Sequence, residues 1–315
     1  MSFASETKNE LARMMPEKKC CMLAEIAGFL RVSGSVSLAG GGKFIIKLTT
    51  DNPAVARHYK KLLKAYFGID AGINVSERSA IGRSRVYIIE IGPEQLSEQI
   101  LRETGVLMVR EGMNYITDGI YDGIIRTKCC RKSYLRGAFI GRGTVSNPEK
   151  GYHFEIDSSS PVTARDIRRL INTFDDIHAK TVKRKEEHVT YVKDSGMILD
   201  ILAIMGAHSQ YFRFEEVRLT KEMRNEANRR SNCDQANIDK AVAAAEKQIE
   251  AIRTLDLDKL NDKLRQTAVL RMENPDASLT ELGQMMDPPM KKSGVNGRLA
   301  RLMKMAETGK NVKQV

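Results

Sequence analysis

The chain has 315 residues, with 42% hydrophobic and 29% charged residues, a formal net charge of +11 and a pI near 9.4. That length supports two or three domains with a sizeable core, and no apolar run approaches the ~20 residues of a membrane-spanning helix. The N-terminal Met1–Lys8 segment lacks a basic-then-apolar signal pattern, so a cytoplasmic location without a membrane partner is expected.

Residues 1–19 read as one polar helix ending at Pro16-Glu17-Lys18-Lys19, within an N-terminal segment drawn as 1–20. The next stretch occurs twice. Cys20-Cys21 leads through Ile26-Ala27-Gly28-Phe29-Leu30-Arg31-Val32-Ser33-Gly34, and Cys129-Cys130 leads through Leu135-Arg136-Gly137-Ala138-Phe139-Ile140-Gly141-Arg142-Gly143. At a constant offset both cysteines, Gly28/Gly137, Gly34/Gly143, Val36/Val145 and Ser37/Ser146 coincide. Each copy reads as an apolar helix with small residues on one side, ended by glycine. Small side chains let two helix backbones come close.

After the first copy the pattern gives a strand at 35–38, a glycine-rich turn Ala39–Gly42 and a strand Lys43–Thr49. Asn52 caps a helix through Tyr66, with Pro53 in its first turn and apolar Val55, Tyr59, Leu62, Leu63 and Tyr66 at helical spacing. Strands near 72–76 and 84–91 and a helix at 93–104 close the unit. The segment 105–127 reads as a connector carrying some helix. The second copy repeats the order: helix 130–142, strands 144–146 and 152–156, a helix opened by Pro161, strands near 178–184 and 187–193, and a helix at 195–206. Two copies, about 21–104 and 130–206 within a domain of 21–215, predict a pseudo-two-fold pair of αββαββα units.

Lys221 to Arg253 reads as a helical arm with a thin apolar stripe, broken at Arg229–Asp234, inside a linker drawn as 216–256. A third, all-α unit at 257–315 follows. Leu260–Met272 is amphipathic, Asn274–Ala277 is a turn, and Ser278 with Glu281 forms a capping box for Leu279–Met286. Asp287-Pro288-Pro289-Met290 stops that helix, and a last one runs from about Lys292 to Met305 with Val295, Leu299 and Leu302 apolar. A capped short helix with glycine at its fifth position, a turn and a V-x-x-x-L-x-x-L helix form the helix-turn-helix pattern. From Lys291 to Lys304 there are five basic residues and no acid. Ser293 and Asn296 are expected to face bases, and Lys291, Lys292, Arg298 and Arg301 mainly phosphates. Gly294 and Gly297 each cost ~1 kcal/mol relative to alanine.

The five cysteines are the two vicinal pairs and Cys233. A metal site drawing on both pairs, with His153 or His188 nearby, is set aside because zinc sites favour gapped ligand pairs; reduced, buried thiols are expected. No cofactor and no metal are expected.

Two αββαββα copies, each opened by a helix of L-A-G-L-I-D-A-D-G form, resemble the LAGLIDADG homing endonucleases. That resemblance implies a catalytic Mg²⁺ held by the acid just before each final glycine. The two positions here are Ser33 and Arg142, one neutral and one cationic, where a hard cation needs carboxylate oxygen. The expected reading is therefore a nuclease-like fold without catalytic residues. An active endonuclease using Glu25, Asp157 or Asp194, and a scaffold binding other proteins, are the alternatives.

The degenerate pair, a helical arm and a C-terminal helix-turn-helix together resemble the WhiA family over nearly the whole chain. Asn228–Ile238 and Lys292-Ser293-Gly294-Val295-Asn296 followed by Arg298-Leu299 carry further likeness. Gly297 departs from it, standing where the family pattern has a histidine. The resemblance implies a nucleoid-associated, sequence-specific regulator that binds double-stranded DNA and acts in sporulation, cell division and chromosome segregation. It also implies a non-catalytic first domain, with another regulator or division protein as a further expected partner there.

Overall fold

The computed structural model describes residues 2–78 and 84–309. Contacts divide the chain into two units after Lys221. The first copy comprises α2 (Lys19–Ser33), preceded by α1 (Phe3–Leu11), then β1 (Gly34–Leu38), β2 (Phe44–Thr50), α3 (Pro53–Phe67), β3 (Ile73–Arg78), β4 (Ser84–Ile91) and α4 (Ser97–Glu103). A hairpin follows, β5 (Leu107–Arg110) and β6 (Met113–Ile116). The second copy is α5 (Lys128–Arg142), β7 (Gly143–Val145), β8 (Phe154–Ser158), α6 (Pro161–Ile171), β9 (Lys180–Arg184), β10 (Glu187–Val192) and α7 (Ser195–Met205).

The expected duplication is present at every level. Each copy forms a four-stranded antiparallel sheet of the same topology, β1-β2-β4-β3 and β7-β8-β10-β9. Equivalent caps start equivalent helices. Asn52 Oδ1 accepts from Ala54 N at 2.9 Å, and Ser160 Oγ accepts from Val162 N at 3.2 Å, each just before a proline in the first turn.

One apolar core runs through both copies, and α2 and α5 pass through it side by side. Phe29 stacks on Tyr59 of α3 and Phe139 on Phe154 of β8, while Gly28, Gly137 and Gly141 face the partner helix. A Cβ on Gly28 would lie 2.2 Å from Tyr134 O, and one on Gly137 would lie 2.2 Å from Glu25 O. The backbones touch, and a methyl group has no room between them.

Three readings need correction or completion. The N-terminal helix ends at Leu11 rather than 19; a turn at 12–13, an irregular stretch and a bend at 17–18 follow before α2 begins. The connector carries some helix as expected, one 3₁₀ turn at Asp122–Ile124, but most of its regular structure is the unexpected β5–β6 hairpin. Short Met and Tyr-containing runs satisfy both periods, and Gly112, in the left-handed region, decides for the hairpin turn.

The arm is also unbroken: α8 (His208–Thr254) continues through Arg229–Asp234. Each Ser, Asn or Asp costs only a few tenths of a kcal/mol in a helix. Surface pairs one turn apart, Arg230 with Glu226 at 2.6 Å and Gln235 with Asp239 at 2.8 Å, oppose that cost. Residues 222–244 of α8 are all exposed, as the thin apolar stripe requires.

The second unit ends in three short helices, α9 (Asp262–Glu273), α10 (Leu279–Met285) and α11 (Lys292–Glu307), around a separate core. Of the readings along the chain, Met1, residues 79–83 of the first copy and residues 310–315 of the last unit lie outside the described residues.

Candidate nucleic-acid interface and the degenerate helix pair

The C-terminal unit is built on a small apolar core. Leu264 and Ala268 of α9, Leu282 of α10, and Val295, Leu299 and Leu302 of α11 are buried together with Ile252 and Leu255. The capping box forms as its sequence dictates: Glu281 N donates to Ser278 Oγ at 3.3 Å, and Ser278 N donates to Glu281 Oε2 at 2.7 Å. Backbone and hydroxyl donation from Ser278 holds the Glu281 carboxyl below the usual carboxylate range.

The turn after α10 folds back onto it. Met290 N donates to Gly283 O at 2.9 Å, and a Cβ on Gly283 would lie 2.3 Å from Met290 O. The fifth position of α10 is glycine because the turn passes over it. Arg271 clamps the preceding loop. It is buried, its Nη1 donates to Pro275 O at 3.0 Å and Ala277 O at 2.9 Å, and burial pushes its guanidinium pKa down.

With Val295, Leu299 and Leu302 fixed in the core, the opposite side of α11 is open. Lys291, Lys292, Ser293, Asn296 and Arg301 are all exposed, as is Lys304 one turn on. No side chain caps the N-terminus of α11, so its first-turn N–H groups add positive potential to that face.

Arg298 departs from its expected place. It is half-buried, with Nη1 3.3 Å from Lys263 O and 3.5 Å from Thr267 Oγ1. It sits beside Leu299 at the edge of the core, so its long side chain lies back over α9 instead of reaching outward. The two glycines of α11 also differ. A Cβ on Gly294 would meet Met290 Cε at 2.7 Å, whereas Gly297 faces open space.

In the first unit, the ends of α2 and α5 bring Ser33 and Arg142 to one cleft, which Lys8, Asp51 and Asp157 also line. Arg142 Nη2 pairs with Glu187 Oε1 at 2.8 Å. Burial pushes Asp157 up, helped by Glu155 and opposed by Arg142, and burial pushes the Lys8 ammonium down against the pull of Asp51 and Asp157. Two cations therefore stand among the carboxylates of this cleft. No local signal in the sequence tied Lys8 or Asp51 to it, because α1 and the β2–α3 junction reach the cleft only through the fold.

The other two acids considered for chemistry are committed elsewhere. Glu25 is fully buried between helices: its Oε2 accepts from Arg136 Nη2 at 2.5 Å and Nε at 2.8 Å, and its Oε1 lies 2.7 Å from His58 Nε2. Asp194 caps α7, accepting from Met197 N at 2.9 Å.

The cysteine reading also changes. Cys21 and Cys130 are buried, but Cys20 is exposed and Cys129 half-buried, and the four sulfurs gather in one place. His153 is elsewhere, with Nε2 2.7 Å from Glu155 Oε2. Neither it nor His188 belongs to the group, the only such cluster among the described residues.

A duplicated, LAGLIDADG-like αββαββα domain with its acids replaced, joined to a helix-turn-helix unit, defines the class of protein. Family models match along the chain: the WhiA N-terminal LAGLIDADG-like domain over residues 19–107, the WhiA LAGLIDADG-like domain over 131–224, and the WhiA C-terminal HTH domain over 227–306. The chain belongs to the WhiA family. It is 41% identical over 318 residues to the "Probable cell division protein WhiA" of Alkaliphilus metalliredigens, covering 99% of this chain and 100% of that one. The protein of the same name from Desulforamulus reducens is 42% identical over 311 residues, covering 98% and 96%. In fold, the chain is similar to the crystal structure of full-length DUF199/WhiA from Thermatoga maritima, with a TM-score of 0.59 and 22% identity over 100% of both chains. No helix among the described residues is long and apolar enough to cross a membrane.

Proposed function

We propose that this protein is a sequence-specific DNA-binding regulator without enzymatic activity, in which α11 reads duplex DNA. The observation that carries this reading is the division of α11 into a buried apolar stripe and an exposed face that holds no acid from its start through Lys304. Lys291, Lys292 and Arg301 on that face would neutralise phosphates, and Ser293 and Asn296 would approach base edges. Arg298 positions α11 against α9. The names of the relatives support a part in cell division, and the family resemblance extends the proposal to sporulation, chromosome segregation and a cytoplasmic, nucleoid-associated place.

The duplicated domain acts as a non-catalytic module. Glu25 and Asp194 serve packing and capping, and in the cleft the carboxylates of Asp51 and Asp157 stand with the basic Arg142 and Lys8. That donor set suits a hard divalent cation poorly.

A second role for this module as a protein-binding scaffold is favoured by the β5–β6 hairpin. Val109, Met113, Tyr115 and Ile116 are exposed there, at 42–70%. Another regulator or division protein is the partner such a surface suits.

Gel-shift titration of the full chain over a salt series tests the DNA assignment. Binding that weakens in Lys292→Ala and Arg301→Ala, with a shallower salt slope, supports it. Unchanged affinity and slope in both variants would remove α11 from the interface.

A further inference from the structure

α2 and α5 each open with a vicinal cysteine pair at equivalent positions. Lys18 and Thr127 are the N-caps, so Cys20 and Cys129 come second and Cys21 and Cys130 third in their helices. Gly28 contacts the α5 backbone at Tyr134 and Gly137 contacts that of α2 at Glu25, which sets the two helices side by side and in register. Their first turns therefore meet. The Sγ atoms of Cys20, Cys21, Cys129 and Cys130 all lie within 4.8 Å of one another.

We propose that these four cysteines bind a single zinc ion, which clips the two halves of the duplicated domain together at the start of its central helices. Zinc with Zn–S bonds of about 2.3 Å holds tetrahedral sulfurs about 3.8 Å apart, so the group needs only a small contraction. An iron–sulfur cluster is larger than one ion and needs its thiolates set farther apart. Four thiolates and no oxygen or imidazole donor select a soft or borderline ion over magnesium or calcium.

The surroundings suit the charge. Two helix N-termini direct their positive ends at the sulfurs, and Lys18, Lys19 and Lys128 adjoin them in sequence. The Thr127 hydroxyl lies 3.2 Å from Cys129 Sγ, placed to steady a ligand from outside the coordination sphere. Cys20 is exposed and Cys129 half-buried, which leaves a path for the ion. Binding involves no oxidation: the thiol protons go to solvent and the sulfurs coordinate as thiolates.

The usual gapped ligand pairs let one short segment supply two ligands around an ion. Here two separate helices meet at a pseudo-two-fold axis, and each supplies a vicinal pair. The spacing rule for a single segment does not govern that arrangement.

The test uses the full chain, purified under reductant and assayed by elemental analysis and a Co²⁺ titration. The expected result is one zinc per chain, or one Co²⁺ with a thiolate charge-transfer band and the intense visible bands of tetrahedral cobalt. Chelation should lower the unfolding temperature of the wild-type chain, and Zn²⁺ should restore it. Cys20→Ser/Cys129→Ser alters the two more accessible positions and should fold but lose both the metal and the zinc response. His153→Ala should keep them. A reduced wild-type chain that holds no metal after Zn²⁺ loading and desalting, retention of the metal by the double variant, or native cross-helix disulfides would each overturn the proposal. The wild-type measurements decide the question even if the double variant does not fold.

Discussion

Glu25 and Arg136 face each other across the paired central helices, with Glu25 Oε2 accepting two hydrogen bonds from one guanidinium, at 2.5 and 2.8 Å. Both side chains are buried, and Arg136 also donates to Met205 O at 3.3 Å. The pair joins one copy of the repeat to the other. In sequence Glu25 was a candidate acid for phosphodiester cleavage; in the fold its oxygens are taken up by Arg136 and His58.

Removing one partner leaves an uncompensated buried charge. Glu25→Ala is expected to cost about 3–5 kcal/mol in denaturant unfolding of the first unit, and Glu25→Leu with Arg136→Leu to recover much of it. A Glu25→Ala chain as stable as wild type would show that the pair carries no structural burden.

The glycines separate by what surrounds them. Gly28→Ala and Gly137→Ala place a methyl against backbone carbonyls that cannot swing away, so each is expected to destabilise by about 1–3 kcal/mol or more. Gly297→Ala meets nothing within 4 Å and lies inside a helix, so it is expected to stabilise the C-terminal unit by up to about 1 kcal/mol. Thermal unfolding of the three variants checks both signs.

Arg301 and Arg298 stand three residues apart in α11 and are expected to behave differently. Arg301→Ala should weaken DNA binding similarly on all sequences and reduce the salt slope by about 1. Arg298→Ala should lower the stability of the helical unit by loosening α11 from α9, with little change in slope. The opposite pattern would put Arg298 at the DNA and Arg301 in the scaffold.

The capping box predicts a pH effect. Donation from Ser278 lowers the Glu281 pKa in the folded chain, so this group's stabilisation is complete above about 4.5, the ordinary value for glutamate. It is lost as pH falls through the lower folded value. Glu281→Gln should therefore flatten that part of the acid limb for the C-terminal unit, and Ser278→Ala should cost about 0.5–2 kcal/mol at neutral pH. Identical acid limbs for wild type and Glu281→Gln would disprove the link.

Much of the fold was legible because it was written twice or capped locally. The repeated small-residue helix, Asn52 before Pro53, Pro161, and Ser278 with Glu281 all act within a few residues, where spacing and hydrogen-bonding chemistry suffice. The basic face of α11, free of acids through Lys304, was legible for the same reason, since Val295, Leu299 and Leu302 fix which side turns inward. The β5–β6 hairpin was not, because its short apolar run lacks a decisive period.

The sequence alone determined the duplication, the helix-turn-helix pattern and the loss of acids at Ser33 and Arg142. It could not place side chains whose neighbours lie far along the chain. Only the tertiary structure turned Glu25 into an interhelical ion-pair partner, drew Arg298 back over α9, and brought Lys8 and Asp51 beside Arg142. It also gathered Cys20, Cys21, Cys129 and Cys130 into one group of sulfurs. For Arg298 the reason is the small core of the C-terminal unit, which sets α11 against α9. For Glu25 and the cysteines it is the contact between the two glycine-bearing helices: packing backbone against backbone superimposes segments more than a hundred residues apart, and no local spacing rule reaches that far.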